Sequence, residues 1–169
     1  MQRKTKITTL FIAQAAIIAA LYTALTFISA ALGLSSGVIQ CRISEALCIL
    51  PLFTAAAIPG LTLGCVISNL LTGCVWQDVL FGSLATLIGA VGAYFLRKGW
   101  LKWLAPLPTI VANAAIVPFV LKYAYGMEDA FWFMVLTVAI GEIISAGFFG
   151  TALTVALTPL RNKIFGKIK

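Results

Sequence analysis

Residues 130–157 read AFWFMVLTVAIGEIISAGFFGTALTVAL, and this stretch decides the class of fold. Glu142 is its only charged residue. An uninterrupted run of about 18 or more mainly apolar residues is typical of a transmembrane helix. The stretch therefore predicts a membrane-spanning helix that carries one carboxyl group near mid-membrane or slightly outside it.

The remainder of the chain has the same apolar character. Hydrophobic residues make up 62% of the 169 positions and charged residues only 10%, and the mean hydropathy is +1.06. A soluble domain carries about a quarter charged residues. With so few charges the chain could not cover its surface against water, so we expect lipid to be its main solvent.

Polar residues and helix breakers divide the chain into six predicted helices. Pro51 and the pair Pro59-Gly60 split one uncharged stretch into two short segments. We expect an all-α integral membrane bundle in a single domain, residues 1–169. Its helices should lie near residues 7–32, 43–57, 59–75, 78–96, 106–125 and 130–157. Hydropathy alone would allow about five to seven spans.

The basic residues favour six spans with both termini in the cytoplasm. They cluster beside the apolar runs as Arg3, Lys4 and Lys6, as Arg97, Lys98 and Lys102, and as Arg161, Lys163, Lys167 and Lys169. Six spans place these ten of the twelve basic residues inside and leave Arg42 and Lys122 outside. Flanking clusters of this kind are typical of loops facing anionic lipid, which argues against nucleic-acid binding.

The polar residues within the bundle gather toward its outer half. A carboxylate at membrane depth costs about 2.5–3.5 kcal/mol, so such groups normally face the bundle interior and serve a partner or a solute. We expect an outward-facing pocket. Its candidate binding residues are Gln40, Arg42, Glu45, Asn69, Trp76, Asp78, Asn113, Trp132 and Glu142.

Each candidate also has a purely structural interpretation. Arg42 and Glu45, three residues apart, could form an interfacial salt bridge, and Asp78 could cap its helix. The two asparagines could join helices by hydrogen bonds, and the two tryptophans could belong to an interfacial aromatic belt. Glu142 is the hardest to explain in such terms. The shared location of the whole set favours a pocket.

Catalytic and metal-binding signals are missing from the sequence. The chain has no histidine, no GxxxxGK(S/T) phosphate loop and no CxxC pair. We therefore expect a binder or carrier rather than an enzyme, with no metal and no cofactor. Cys41 and Cys74 fall in predicted outer loops, and whether they form a disulfide stays open.

Small residues repeat along the first predicted helix. Ala16, Ala20 and Ala24 recur every four residues, and Ala15 and Ala19 form a neighbouring register. Such a stripe lets another helix approach closely. The sequence leaves open whether that helix belongs to a partner protein or to this chain.

Several segments along the chain form a recognisable set. They are IQCRISEAL at residues 39–47 with Leu50-Pro51, AIPGL at 57–61 with Gly64-Cys65 and Asn69, Asp78 with FGSLAT at 81–86, APLP at 105–108, Ala112-Asn113-Ala114, and Gly141-Glu142. In these segments the chain resembles the queuosine-precursor (QueT) transporter family. The match covers nearly the whole chain in order. Two positions depart from it, because Cys41 stands in place of an expected aromatic residue and Cys48 in place of a small hydroxyl residue.

The resemblance implies a substrate-binding S component of an energy-coupling-factor (ECF) transporter. Such a protein is a six-helix bundle in the bacterial plasma membrane with a pocket in its outer half. It pairs with a transmembrane coupling subunit and two ATP-binding subunits, which hydrolyse the ATP. The alanine stripe resembles the AxxxA docking motif of that superfamily, with Ala16 and Ala20 as the first choice.

The implied ligand is a 7-deazaguanine, namely an aminomethyl or cyano precursor (preQ1 or preQ0), queuine or the nucleoside queuosine. Two alternatives stay open. The chain could be an S component for another vitamin-like heterocycle, or a proton-coupled secondary carrier with Glu142 as its relay.

Overall fold

The computed structural model describes residues 2–34 and 39–165, and within these ranges every regular element is a helix. The α-helices are α1 Gln2–Ala31, α2 Ala57–Leu71, α3 Trp76–Phe95, α4 Leu107–Tyr123, α5 Phe131–Glu142, α6 Gly150–Leu157 and α7 Arg161–Ile164. Two 3-10 helices, Ile43–Leu52 and Gly99–Leu104, and one π-helical segment, Ile143–Phe149, complete the fold. The prediction of an all-helical protein is confirmed.

Four stretches are long and apolar enough to cross a membrane. They are Thr9–Ala31, Trp76–Phe95, Gly99–Tyr123 and Phe131–Leu157. The apolar helices Ile43–Leu52 and Ala57–Leu71 are shorter, at 10 and 15 residues. At about 1.5–2.0 Å per residue each covers about 20 Å, less than the hydrocarbon core of about 30 Å. The count of six crossings therefore stays a prediction.

Some of the residues on which the predicted topology depends lie outside the described part of the chain. Lys167 and Lys169 of the basic tail, and Ser35 to Gly37 of the first loop, lie outside the described residues. The backbone of Arg3, Lys4 and Lys6 belongs to α1, but their side chains are outside the description. The orientation inferred from these charges is likewise a prediction.

The segment expected as an α-helix over residues 43–57 is instead a 3-10 helix that ends at Leu52. Pro51 supplies no backbone N–H and its ring crowds the carbonyl one turn earlier, which disfavours continued α-helix. Every residue from Ser44 to Leu52 is buried, and the segment packs against α1, α3, α6 and the π-helical segment. It thus runs through the centre of the bundle and carries Glu45 into it.

The last long helical stretch changes its geometry directly after Glu142. The α-helical hydrogen bonding of α5 gives way to a π-helical segment, Ile143–Phe149, before α6 begins. Segments of π-helix inside α-helices are rare and occur frequently at functional sites. Here the change from α-helix to π-helix directly follows Glu142, the residue that the sequence indicates as a buried carboxyl group.

Helices α1 and α2 pack closely through small residues. A Cβ atom added at Gly60 would lie 2.8 Å from the carbonyl oxygen of Ala15, and one at Gly64 would lie 2.9 Å from that of Ala19. Ala15 and Ala19 therefore pack against α2 of this same chain. The stripe of Ala16, Ala20 and Ala24 is exposed on another face of α1.

Candidate functional site

Polar residues from five parts of the chain enclose a small cavity in the bundle, called here the inner cavity. Its volume is about 30 Å³, enough for one or two water molecules but not for a heterocycle. The lining residues are Gln40, Arg42, Glu45, Cys65, Asp78, Gly82, Thr86, Asn113, Val117, Val138 and Glu142. All three carboxyl groups singled out in the sequence are among them.

A larger space, the outer cavity, adjoins the inner one. Its volume is about 490 Å³, within the range of about 300–1,000 Å³ found for small-molecule pockets. Its walls are Thr26, Ala30, Gln40, Arg42, Asn69, Thr72, Cys74, Asp78, Val117, Leu121, Tyr125 and Met127. Four residues line both cavities and so stand between them, namely Gln40, Arg42, Asp78 and Val117.

Arg42 and Asp78 form an ion pair at this boundary. Their closest charged atoms, Arg42 Nη2 and Asp78 Oδ2, are 3.8 Å apart. Arg42 also donates from Nη1 to Asn69 Oδ1 at 3.4 Å, and Asn69 donates from Nδ2 to the backbone carbonyl of Asp78 at 3.4 Å. The guanidinium thus pairs with Asp78 rather than with Glu45. The N-cap of α3 is Val75, and Asp78 lies in the first turn of the helix, so Asp78 is not the N-cap residue.

Tyr125 lies in the connection between α4 and α5 and contacts Asp78 at the boundary between the two cavities. Its hydroxyl donates to Asp78 Oδ2 at 3.0 Å. Burial, followed by the negative charge of Asp78, raises the pKa of the Tyr125 phenol. The hydroxyl therefore keeps its proton at neutral pH and remains a hydrogen-bond donor to the carboxylate.

Glu45 is held from α1. Its side chain is 3% exposed, and Tyr22, which is also buried, donates its hydroxyl to Glu45 Oε1. Two further contacts fix the same segment, because Thr26 donates to the Ser44 hydroxyl at 2.9 Å and the Ile43 N–H donates to the Ser29 hydroxyl at 2.8 Å. Successive turns of α1, at Tyr22, Thr26 and Ser29, therefore hold Glu45 and the backbone beside it in place.

Glu142 is the carboxyl group with spare hydrogen-bonding capacity. Its Oε2 atom is buried and has no hydrogen-bond partner among the described residues. The Asn113 side chain lines the same cavity as this carboxyl group. A buried acceptor left unsatisfied costs about 1–3 kcal/mol, and more when it is charged. A solute that donates hydrogen bonds here would recover that cost.

The balance of formal charge around the two cavities is negative. Glu45, Asp78 and Glu142 contribute three carboxyl groups, and Arg42 contributes the one guanidinium. The arrangement can therefore accept hydrogen bonds from a donor-rich or cationic solute. Asn113 and Gln40 supply amide groups that can donate to a carbonyl.

The family model described as QueT transporter matches residues 12–159. The chain belongs to the QueT transporter family. The matched range contains every residue of both cavities. Together with the four long apolar helices, membership makes this chain a multi-pass transport protein of the cell membrane.

One relative of this QueT family member is the "Queuosine precursor transporter QueT" of Lactococcus lactis subsp. cremoris (strain MG1363). It is 44% identical over 73 residues, an alignment that covers 43% of this chain and 43% of the relative. The aligned part is thus less than half the length of the relative. No solved structure matches the chain.

Two of the predicted binding residues do not lie in either cavity of this QueT family protein. Trp76 is 68% exposed and Trp132 is 79% exposed, and both lie in the first turn of their helices. Trp76 precedes Asp78 by two residues, which on a helix turns the two side chains to nearly opposite faces. Their positions suit an aromatic belt at the membrane interface.

Among the polar residues that line the cavities, Cys65, Thr86 and Tyr125 are not candidates from the sequence. Tyr22, which donates to Glu45 without lining either cavity, is not a candidate either. A signal existed for Thr86, because Asp78, Gly82 and Thr86 are spaced by four and share one helix face. Tyr125 lies beyond the end of α4, where helical spacing gives no guidance.

The four cysteines of this QueT family member are free thiols. Cys41 lies 3.0 Å from the Ser145 hydroxyl, and Cys74 lies 3.5 Å from the Thr72 hydroxyl. The disulfide between Cys41 and Cys74 that the sequence left open is therefore not formed in this structure.

Gly141 lets the loop that carries Gln40 approach α5. A Cβ atom at this position would overlap the carbonyl oxygen of Gln40. We expect Gly141→Ala to lower the free energy of unfolding by about 1–3 kcal/mol, as overpacking of a tight contact does. Thermal unfolding in detergent, followed by circular dichroism, measures this change.

Gly147→Ala is the matched control. Its added Cβ would meet only Ile110 Cδ1 at 3.7 Å and Ile143 Cγ2 at 3.9 Å, which are ordinary contacts. We expect this variant to be neutral, or more stable by up to about 1 kcal/mol because alanine favours helix over glycine. Equal melting temperatures for the two variants would contradict the close approach of Gln40 to α5.

Proposed function

We propose that this protein is the substrate-binding S component of an ECF importer, and that it captures a 7-deazaguanine precursor of queuosine. The observation that carries the proposal is the cluster of three carboxyl groups and their amide partners inside an otherwise apolar bundle. The name of the Lactococcus relative, a queuosine precursor transporter, supports the choice of solute.

The chemistry of a deazaguanine suits these side chains. Its guanine-like edge presents a ring N–H and an exocyclic amine, two parallel donors that one carboxylate can accept together. The unpartnered oxygen of Glu142 supports this role for that residue. The ring carbonyl needs a donor, which Asn113 or Gln40 can supply. A cationic aminomethyl arm would be stabilised by a second carboxylate, either Glu45 or Asp78.

Binding requires the boundary between the two cavities to open. The outer cavity has the volume for a bicyclic solute, whereas the inner cavity does not. Glu142 lines only the inner one. A solute that reaches Glu142 must therefore displace the Arg42–Asp78 pair and the Tyr125 hydroxyl, and its own polar groups would replace the hydrogen bonds they lose.

The energy source lies on partner subunits in this proposal. The exposed stripe of Ala16, Ala20 and Ala24 leaves a smooth face on α1 where a transmembrane coupling subunit can pack. Two ATP-binding subunits would then drive uptake. The two short apolar helices complete six crossings, which return both termini to the cytoplasm as the basic clusters favour.

Calorimetric titration of the purified chain tests the solute. We expect saturable binding of the aminomethyl or cyano deazaguanine, of queuine or of queuosine at micromolar concentrations or below. Adenine and a panel of vitamins serve as competitors that should leave the titration unchanged. Absence of heat with all deazaguanines, or displacement by an unrelated vitamin, would contradict the proposed substrate.

The buried, unpartnered oxygen of Glu142 also favours a second candidate, a proton-coupled secondary carrier. Proteoliposomes that hold this chain alone distinguish the two. Uptake driven by a pH gradient without any ATP-binding subunit would support the carrier. Uptake that requires the coupling subunit, the ATP-binding subunits and ATP would support the S component.

A further inference from the structure

The connection between α3 and α4 carries charged and aromatic residues that the solute site does not use. It contains the 3-10 helix Gly99–Leu104, with the sequence GWLKWL, directly after Arg97 and Lys98. We call residues 97–104 the basic-aromatic turn. The turn follows Trp76–Phe95, a stretch able to cross a membrane, and its 3-10 helix forms the beginning of the next such stretch, Gly99–Tyr123. The turn therefore lies at an end of the bundle where hydrocarbon meets headgroups.

The two tryptophans of the turn point away from the protein. A 3-10 helix has three residues per turn, so residues i and i+3 lie in one row, and Trp100 and Trp103 satisfy this spacing. They are 71% and 47% exposed. In a membrane protein, exposed indole rings at the ends of spans sit at the level of the headgroups.

Among residues 2–34 and 39–165, no acidic group forms an ion pair with the three cations of the turn. Arg97 Cζ lies 4.0 Å from the centre of the Tyr94 ring, and Lys102 Nζ lies 5.0 Å from the centre of the Trp103 ring. These contacts orient the cations without neutralising them. The sequence has no Asp or Glu between residues 79 and 127, and the ion pair found within the described ranges, Arg42–Asp78, involves none of the three.

We propose that the basic-aromatic turn binds the headgroups of anionic phospholipids. The three cations attract the phosphate and the net negative charge, while the two indole rings lie beside the glycerol and upper acyl region. Each Lys or Arg near a membrane surface contributes an attraction that corresponds to about a fivefold enrichment of anionic lipid. Zwitterionic lipid offers no net charge and would not be enriched.

Tryptophan quenching by brominated lipids tests this site. The variant Trp76→Phe/Trp132→Phe keeps Trp100 and Trp103 as its only tryptophans, since the chain has four. It is reconstituted in phosphatidylcholine vesicles that contain a small, equal share of brominated phosphatidylglycerol or brominated phosphatidylcholine. We expect the brominated phosphatidylglycerol to quench at least about fivefold more strongly, which is the enrichment that a single one of the three cations would produce.

Charge variants and salt identify the cause of the preference. On the same background, Arg97→Gln/Lys98→Gln/Lys102→Gln should reduce the quenching ratio to near one. Lys122→Gln should leave the ratio unchanged, because Lys122 lies in the last turn of α4, at the opposite end of that helix from the basic-aromatic turn. Raising salt from about 0.1 M to about 1 M shortens the screening length from about 10 Å to about 3 Å and should also lower the ratio. This salt titration needs only the parent variant. It therefore shows whether the preference for anionic lipid is electrostatic even if the triple variant does not fold.

Three results would overturn the proposal. They are equal quenching by both brominated lipids in the parent, a preference that survives the triple substitution, and a preference that does not respond to salt. Weak quenching by both lipids is a case of the first result, because it would mean that the tryptophans do not reach lipid. None of these outcomes depends on the solute, so the test is independent of the proposed transport function.

Discussion

Glu142→Gln is expected to weaken deazaguanine binding by about 100-fold. A hydrogen bond to a charged group contributes about 1.5–3 kcal/mol, and a 100-fold change corresponds to about 2.7 kcal/mol. The glutamine would also turn an amide donor toward the donors of the solute. Insertion into the membrane should not suffer, because a neutral amide costs less than a carboxylate at that depth.

Calorimetric titration measures this loss, and Glu128→Gln is the matched control. Glu128 lies exposed in the connection between α4 and α5 and lines neither cavity. We expect the control to bind as the parent does. A Glu142→Gln variant that keeps the parental dissociation constant would show that Glu142 has no part in solute recognition.

Ala20→Trp is expected to abolish assembly with the coupling subunit while ligand affinity stays within about twofold of the parent. Ala20 is exposed between Ala16 and Ala24 on α1. Helices that meet through small residues approach closely, and an indole ring would hold them apart. The cavity side of α1 is formed by other residues, Tyr22 and Thr26, so the solute site should be unaffected.

Co-purification with the coupling subunit, together with calorimetry on the isolated variant, measures both effects. Ala115→Trp provides the control, because Ala115 is an exposed alanine on α4 rather than α1. We expect this control to assemble normally. Normal assembly of Ala20→Trp would place the docking surface elsewhere, whereas failure of both variants would point to a general effect of an added indole.

The class of fold could be predicted from the sequence because it depends on composition. Scarce charges and long apolar runs require lipid as solvent, and Pro59-Gly60 marks the start of α2. The 3-10 geometry of Ile43–Leu52 and the π-helical segment after Glu142 could not be predicted. Pro51 signals only that an α-helix is disfavoured there. The geometry that replaces it, and the π-helical segment, also depend on packing against neighbouring elements.

The candidate site could be predicted in part for a similar reason. Burying Glu45, Asp78 or Glu142 in a bundle is so costly that their presence alone indicates an interior polar cluster. The partners of these groups depend on the fold. Arg42 pairs with Asp78, thirty-six positions away, rather than with nearby Glu45, and Tyr22 reaches Glu45 from another helix. The identity of the solute rests on family resemblance.

A structure of the protein with an aminomethyl deazaguanine bound would show directly whether the buried carboxyl groups hold the solute. We expect the bicyclic ring at the boundary of the two cavities, with its N–H groups donating to Glu142 and its amine beside Asp78 or Glu45. The Arg42–Asp78 pair should be separated in that state. A ligand held against the lipid-facing surface, or a polar cluster unchanged and unoccupied at saturating ligand, would contradict the account.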